Sequence, residues 1–423
     1  MEAKKIIINE NKNLSKAKLL KEILTFKGDL SNQNHTYSSI TLISEDDPDK
    51  EETGKTLKNI FENKITSSKE SRALASLICL AIGDSLGSNS EFDAFSWSHP
   101  PKNYQNYSSV QPDRAAVGQW TDDTSMALCL ADSLLEKEGE FDGVDIRFRF
   151  LLWWHMGYNN GRSPTQTSFG LGGNIAESFI DFQKHPDTAV MKRTEKNKYN
   201  NGNGSLMRLA SVPIYFHDNE KNGLAFAQNQ SYTTHTGDEA AECCRLLTHL
   251  IIKLINREEN IDEKEILANL KNTFKTEVDC PSVIKLAASE KEENVKEDRF
   301  NKSDEDRNWD WKNENWKPSP KRLSANPGYF GSYCMDALAL SLYYAYHSKN
   351  AKEAILKAVN SGGDSDTVGA ITGQIVGAMY GLEPEIIELY EDKNGIRKWD
   401  KLAIATAAYK LFHHKKKNWC ISE

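Results

Sequence analysis

Apolar residues recur along most of this chain at the three- and four-residue spacing of an amphipathic helix. The clearest case follows residues 67–70, Ser-Ser-Lys-Glu, which have the spacing of a capping box at a helix start. One apolar face then contains Leu74, Leu77, Ile78, Ala81 and Ile82. We find no convincing set of strands with alternating apolar and polar positions, so the pattern predicts an all-α fold.

The same spacing predicts many further helices. They cover a stretch that begins near Asp122, and residues 144–156, 174–183, 223–233, 238–256, 263–274, 335–347, 351–360, 366–380 and 399–413. After Asp366, glycine occupies every fourth position, at Gly369, Gly373, Gly377 and Gly381. Glycines four residues apart lie on one helix face and let another backbone approach closely. Because each glycine lowers helix propensity by about 1 kcal/mol, we expect this helix to be buried at the centre of the fold.

Residues 1–66 differ from the rest of the chain. They predict a basic helix at 15–26, a short strand at 40–43, an acidic loop at 45–49 and a second short helix at 55–63. We therefore expect a small mixed N-terminal extension, residues 1–66, ahead of a main domain at residues 67–423.

A highly charged stretch at residues 289–327 interrupts the main domain. It contains Trp309, Trp311 and Trp316, whereas disordered segments are poor in aromatic residues. We therefore expect an ordered, inserted loop that folds over the core.

Composition excludes several classes of function. The chain has 423 residues, a net charge of −8 and a mean hydropathy of −0.62, which argues against a protein that mainly binds nucleic acid or anionic lipid. No apolar run approaches the roughly 20 residues that span a bilayer, and the N-terminus lacks a secretory apolar region. The seven cysteines form no CxxC pair, so we expect buried free thiols and a cytoplasmic protein.

Two acidic clusters carry the candidate chemistry. Residues 121–124 read Thr-Asp-Asp-Thr and residues 362–367 read Gly-Gly-Asp-Ser-Asp-Thr, each at the predicted start of a helix. Helix capping is the simpler interpretation, but one cap needs one side chain. Carboxylates packed this densely repel one another unless a cation holds them. Carboxylate and hydroxyl oxygens suit Mg²⁺, Mn²⁺ or Ca²⁺, so the clusters predict one shared site for a hard metal.

At this point the chain resembles the ADP-ribosylglycohydrolase family, on four blocks in the same order. The blocks are residues 83–91 (Gly-Asp-Ser-Leu-Gly-Ser-Asn-Ser-Glu), 121–124, 202–208 (Gly-Asn-Gly-Ser-Leu-Met-Arg) and 362–367. Weaker similarities occur at Thr234-His235 and at Gly331-Ser332-Tyr333. The resemblance covers roughly residues 70–415.

The resemblance implies a compact all-α catalytic domain, residues 67–423, with two divalent metals, Mg²⁺ or Mn²⁺, in a central cleft. By position, the first ion is bound by Thr121, Asp122 and Asp123, and the second by Asp364 and Thr367. Asp366 is expected to bridge the two ions. Glu91 completes the metal shell or touches the ribose, and the candidate catalytic carboxylates are Glu91, Asp122 and Asp123.

The same resemblance implies a substrate loop and a nucleotide pocket. Asn203, Gly204 and Ser205 are expected to approach the diphosphate and distal ribose. His235 and Tyr333 are candidates for the pocket wall. A surface or capping histidine and a core aromatic residue remain the alternatives for these two.

One block departs from the family pattern. Residues 169–172 read Phe-Gly-Leu-Gly, where the nitrogenase-regulating members have Phe-Asp-Ile-Gly. Gly170 thus stands at the usual aspartate position, although members with other linkage preferences also lack this aspartate.

The expected function is therefore a dimetal hydrolase that removes ADP-ribose from modified protein side chains, with arginine as the first candidate linkage. Immunity proteins against ADP-ribosyltransferase toxins can resemble this family. The extension, residues 1–66, is accordingly a candidate arm that plugs the toxin's NAD pocket. The main alternative is a binding protein that blocks the toxin without catalysis, and a third is a metallohydrolase acting on free ADP-ribose derivatives.

Overall fold

The computed structural model describes residues 48–63, 68–161, 168–292, 307–325, 327–396 and 398–414. Within these ranges the chain forms α-helices and no β-strand, which confirms the predicted all-α class. The predicted helix at 15–26 and strand at 40–43 lie outside the described residues. The helices are α1 (Pro48–Asn63), α2 (Lys69–Gly87), α3 (Asp122–Glu136), α4 (Gly143–Met156), α5 (Gly173–Lys184), α6 (Ser211–Tyr215), α7 (Glu220–Tyr232), α8 (Asp238–Ile255), α9 (Glu263–Ala268), α10 (Leu270–Thr273), α11 (Pro281–Ala288), α12 (Pro320–Ala325), α13 (Cys334–Tyr346), α14 (Ala351–Asn360), α15 (Ser365–Tyr380), α16 (Pro384–Glu391) and α17 (Lys398–His413).

Helices α2 and α15 pack backbone against backbone at the centre of the fold. A Cβ atom added to Gly373 would lie 2.1 Å from the carbonyl oxygen of Cys79, and one on Gly377 would lie 2.3 Å from that of Ala75. On the facing helix, a Cβ on Gly83 would lie 2.1 Å from the carbonyl oxygen of Gly369. These pairs run antiparallel, so the C-terminal end of α2 meets the N-terminal end of α15. The glycine spacing predicted this close approach.

Several helix boundaries differ from the predictions. The predicted helix at 263–274 is two short helices, α9 and α10, that meet at Asn269. Three short helices that were not predicted, α11, α12 and α16, each begin at a proline. Proline suits the first turn of a helix, but six to eight residues are too few for a clear apolar period.

The described part of the N-terminal extension shares the core of the main domain. Helix α1 lies against α17, and its Leu57 and Ile60 are buried. An ion pair with 3.4 Å between Lys410 Nζ and Asp49 Oδ2 joins the two helices at the surface. This packing holds α1 on the last helix of the domain.

The tryptophans of the inserted stretch are buried. Trp309, Trp311 and Trp316 are at most 4% exposed, and the Trp311 indole donates to the carbonyl oxygen of Leu286 in α11.

The six described cysteines are free and buried. Across the described ranges, no helix combines the length and apolar character that crossing a membrane requires.

Candidate metal centre and active site

The ends of three helices bring acidic side chains together. Asp84 lies in the last turn of α2, Asp122 and Asp123 begin α3, and Asp366 is in the first turn of α15. Asp364 is the N-cap residue of α15, and Glu91 follows α2 by four residues. The close contact of α2 with α15 therefore carries these carboxylates to one place.

Two groups of carboxylates form, and they share one member. Oxygen atoms of Asp84, Asp123 and Asp366 lie within 4.8 Å of one another, as do oxygen atoms of Glu91, Asp364 and Asp366. The two acidic clusters of the sequence thus meet in the fold, with Asp366 between the two groups. A pair of adjacent cation positions would fit this arrangement.

Asp84 is a site residue that the sequence analysis did not single out. Its Oδ1 accepts from the backbone N–H of Thr121 at 2.9 Å, and its Oδ2 accepts from that of Thr124 at 3.0 Å. The hydroxyls of the same two threonines lie 2.9 Å and 2.6 Å from it. Asp84 therefore caps the N-terminus of α3 from a distant part of the chain, which fixes the direction of Asp123.

The two predicted threonine ligands also hold carboxylates in place. Thr121 Oγ1 lies 3.0 Å from Asp123 Oδ2. The backbone N–H of Thr367 donates to Asp366 Oδ1 at 2.8 Å. Both side chains are buried next to the carboxylates that these residues contact.

Burial and mutual repulsion raise the pKa values of these carboxylates. Burial raises the pKa of Asp84 to about 6. Burial, followed by the charge of Asp364, raises the pKa of Glu91 to about 8. The pKa values of Asp122, Asp123 and Asp366 are all raised well above the usual range, first by burial and then by neighbouring carboxylates. A bound cation would offset the repulsion among these carboxylates and favour their charged forms.

Little of this negative charge is balanced by the described residues. Among them, an ion pair reaches Glu91, whose Oε2 lies 3.8 Å from Nη2 of Arg114. Asp123 Oδ1 is buried without a hydrogen-bond partner. A buried carboxylate oxygen with no donor is costly, and a hard divalent cation would satisfy it. The residues present therefore fit a divalent metal.

Gly170 packs directly against Asp122. Its φ of +92° is in the left-handed region, and a Cβ added there would lie 2.3 Å from Asp122 Oδ1. Any side chain at position 170 would collide with that carboxylate unless one of them moved. The departure from the family pattern thus gives Asp122 its present position.

The predicted substrate loop is joined to the acidic site. Residues Asn203–Ser205 form a 3₁₀ turn, and Asn203 Nδ2 donates at 2.9 Å to both Asp364 Oδ2 and the carbonyl oxygen of Gly331. The buried hydroxyl of Ser205 accepts from Ser231 at 2.8 Å. The side-chain amide of Asn203 is therefore the group of this loop that contacts a carboxylate of the acidic site.

His235 supports this loop from behind. A Cβ added to Gly204 would lie 3.0 Å from its Cε1. The ring is buried, and its Nδ1 lies 2.8 Å from the hydroxyl of Thr234. Burial, followed by the charge of Arg208, lowers the pKa of His235 to about 3, so the imidazole is neutral at physiological pH.

Tyr333 lies beside the same loop but has its hydroxyl engaged elsewhere. The hydroxyl donates to Glu239 Oε2 at 2.5 Å and accepts from Arg307 Nη1 at 2.9 Å. Residue 333 also forms an antiparallel bridge with Gly202. Its ring is therefore held next to the loop, whereas its polar group faces a charged cluster.

Comparison with known proteins points to one family. A profile described as ADP-ribosylglycohydrolase matches residues 65–417. "ADP-ribosylarginine hydrolase Tri1" of Pseudomonas putida is 30% identical over 328 residues, which cover 75% of this chain and 73% of that protein. The ADP-ribosyl-dinitrogen reductase glycohydrolase of Rhodospirillum rubrum is 26% identical over 74% of this chain and 86% of its own length.

A solved structure gives the same answer for the fold. A chain of an "ADP-ribosylglycohydrolase-related protein complex" superposes with a TM-score of 0.58 and 25% sequence identity. The superposition covers 82% of the present chain and 99% of that one.

Proposed function

Because this chain belongs to the ADP-ribosylglycohydrolase family, we propose that it hydrolyses the bond between ADP-ribose and a modified arginine side chain. The arginine linkage is favoured by the similarity to the relative from Pseudomonas putida, whose name specifies that linkage. The observation that carries the proposal is the pair of carboxylate groups that share Asp366.

The metal ligands in this proposal are those of the two acidic clusters. Thr121, Asp122 and Asp123 would hold one divalent cation, Asp364 and Thr367 would hold the other, and Asp366 would be shared. Bound Mg²⁺ or Mn²⁺ would polarise ribose oxygens and lower the pKa of a water molecule. Asp84 belongs to the first carboxylate group with Asp123 and Asp366, and its hydrogen bonds to the start of α3 would orient that group toward the cation.

The reaction exchanges one bond for another. The bond between ribose C1 and the arginine nitrogen breaks, water supplies a hydroxyl group to C1, and the remaining proton of water goes to the leaving nitrogen. Positive charge develops on the sugar as the bond breaks, and the surrounding carboxylates would stabilise it.

Glu91 is the best placed of the three candidate catalytic carboxylates to accept the proton of water, once bound cations offset the charge of Asp364 and lower the raised pKa of Glu91. Its side chain is 14% exposed, whereas Asp123 is fully buried and Asp122 lies under Gly170. Asn203 keeps Asp364 in position through its amide, and the backbone N–H of Gly204 would donate to the diphosphate.

The test measures release of free ADP-ribose from a protein carrying ADP-ribosyl-arginine and from one carrying ADP-ribosyl-serine. We expect release from the arginine substrate with Mg²⁺ or Mn²⁺, none with a chelator, and recovery when the metal is restored. Release that persists in chelator would contradict the metal assignment. Release from the serine substrate alone would contradict the arginine linkage.

Cytoplasmic action is part of the proposal, since buried free thiols suit a reducing compartment.

The N-terminal extension supports a second proposed role. The family profile begins at residue 65, so residues 1–64 are outside the matched region. The described helix among them, α1, packs on α17. We propose that residues 1–47 bind an ADP-ribosyltransferase toxin and block its NAD pocket. The protein would then protect twice, by blocking the toxin and by reversing its product.

Two variants separate the roles. Deletion of residues 1–47 leaves Leu57 and Ile60 of α1 in the core, and should abolish toxin inhibition while hydrolysis continues. D366N should abolish hydrolysis while toxin inhibition continues. Equal inhibition by the full chain and the deletion variant would refute the proposed arm.

A further inference from the structure

A buried charged cluster lies beside the substrate loop, outside the acidic site. It consists of Arg307, Glu239, Glu292 and Tyr333, and we call it the Arg307 clasp. Arg307 comes from the inserted stretch and its side chain is 1% exposed. Glu239 lies in the first turn of α8, and Tyr333 is the N-cap residue of α13.

One guanidinium joins all members of the clasp. Arg307 Nε donates to Glu292 Oε1 at 2.9 Å, and Nη2 donates to Glu239 Oε1 at 2.5 Å. Nη1 donates to the Tyr333 hydroxyl at 2.9 Å, which in turn donates to Glu239 Oε2. The planar fork of arginine can serve three directions at once, whereas the ammonium of lysine is a compact point charge.

The clasp is hydrogen-bonded to the base of the substrate loop. Asn201 Nδ2 donates to Glu239 Oε2 at 3.2 Å, and the backbone N–H of Cys334 donates to the carbonyl oxygen of Asn201 at 2.9 Å. Two residues later, the N–H of Asn203 donates to the carbonyl oxygen of Ser332 at 2.9 Å. Asn201 is thus tied to the Glu239 side chain that Arg307 holds. Asn201 and Asn203 are also tied to the backbone on either side of Tyr333, whose hydroxyl accepts from Arg307.

We propose that Arg307 is a positioning residue for the substrate loop. By fixing Glu239 and Tyr333, it holds Asn203 against Asp364 and keeps the Gly204 backbone in place for bound ADP-ribose. This inference rests on the proposed function and assigns a role to the inserted stretch within it. Loss of the guanidinium fork should disturb the position of the loop more than the position of the carboxylates that act on the reacting bond.

The test is R307K, which retains the positive charge and removes the fork. We expect a KM for the ADP-ribosyl-arginine protein that is about tenfold higher, the low end of what loss of an outer-shell partner costs, with kcat changed much less. Calorimetry should show a similar loss of affinity for ADP-ribose itself. R307M should raise KM and weaken ADP-ribose binding more than R307K does. If R307M does not fold, R307K alone decides the test.

R72K is the matched control. Arg72 is also a buried arginine, and it donates to the carbonyl oxygens of Ile255 and Arg257. It precedes Asp84 by twelve residues of one helix, or about 18 Å. We expect R72K to leave KM and ADP-ribose affinity unchanged.

The inference is overturned if R307K keeps the wild-type KM and ADP-ribose affinity while its thermal midpoint falls as in R72K. Arg307 would then have only a structural role. The calorimetric measurement keeps the two proposals distinguishable. If the wild type binds ADP-ribose but releases none from modified arginine, the proposed reaction fails, while the comparison of R307K with R72K still tests the position of the loop.

Discussion

The acidic site and the Arg307 clasp both bury carboxylates, but they balance the negative charge differently. In the clasp, the guanidinium of Arg307 donates directly to Glu239 and Glu292. In the acidic site, an ion pair from the described residues reaches Glu91, while Asp123 Oδ1 has no hydrogen-bond partner. An unpaired buried charge costs several kcal/mol. The contrast indicates that the clasp is complete as folded, whereas the acidic site is built to receive cations.

D366N should give the largest effect, because Asp366 belongs to both carboxylate groups. Loss of an outer-shell partner of a metal typically costs 10–100-fold in activity, so loss of a shared ligand should lower turnover by more than about 100-fold. Calorimetry should show weak or absent Mg²⁺ uptake, and circular dichroism should show unchanged helix content. Wild-type turnover in D366N would refute the metal assignment.

E292Q should show the reverse pattern in the clasp. Removing this charge breaks the ion pair between Arg307 and Glu292, and breaking a buried ion pair costs about 3 kcal/mol. Urea unfolding should therefore show lower stability, while Mg²⁺ uptake stays at the wild-type level. D366N neutralises a buried carboxylate among like charges, so in chelator it should be at least as stable as the wild type. Equal destabilisation by both variants would remove the distinction between the two regions.

Magnesium itself should stabilise the wild-type protein. A ligand at 100 times its Kd that binds only the folded state contributes about 2.7 kcal/mol. We expect a rise in the thermal midpoint with Mg²⁺, a smaller rise in D123N, and a full rise in E292Q. An identical shift in D123N and the wild type would place the ion elsewhere.

How much of this could be predicted depended on the sequence distance between partners. The periodic helices, the glycine face of α15 and the acidic runs are local patterns. Among the described residues the fold contains most of them where they were expected, except that 263–274 is divided into α9 and α10 and that α1 begins seven residues before the predicted 55–63. The capping of α3 by Asp84 joins residues 37 and 40 positions apart, and an aspartate in a helix carries no local sign of that role. Arg307 meets Glu239 across 68 positions. Its partners are set by packing of the inserted stretch, for which the sequence offers no periodic signal.

T124V should have the smallest effect on the acidic site, because it removes one hydrogen bond and no charge. The hydroxyl of Thr124 lies 2.6 Å from Asp84 Oδ2, and Asp84 retains the N–H groups of Thr121 and residue 124. We expect Mg²⁺ affinity to fall by about tenfold, since the remaining donors orient Asp84 and Asp123 less firmly.

T406V provides the control for that substitution. Thr406 is fully buried in α17, and its hydroxyl has no hydrogen-bond partner among the described residues. Replacing it with a methyl group should be neutral or slightly stabilising and should leave Mg²⁺ affinity unchanged. If calorimetry gives the same affinity for T124V, T406V and the wild type, then Asp84 does not tune the metal centre. Its hydrogen bonds to α3 would then serve only to cap that helix.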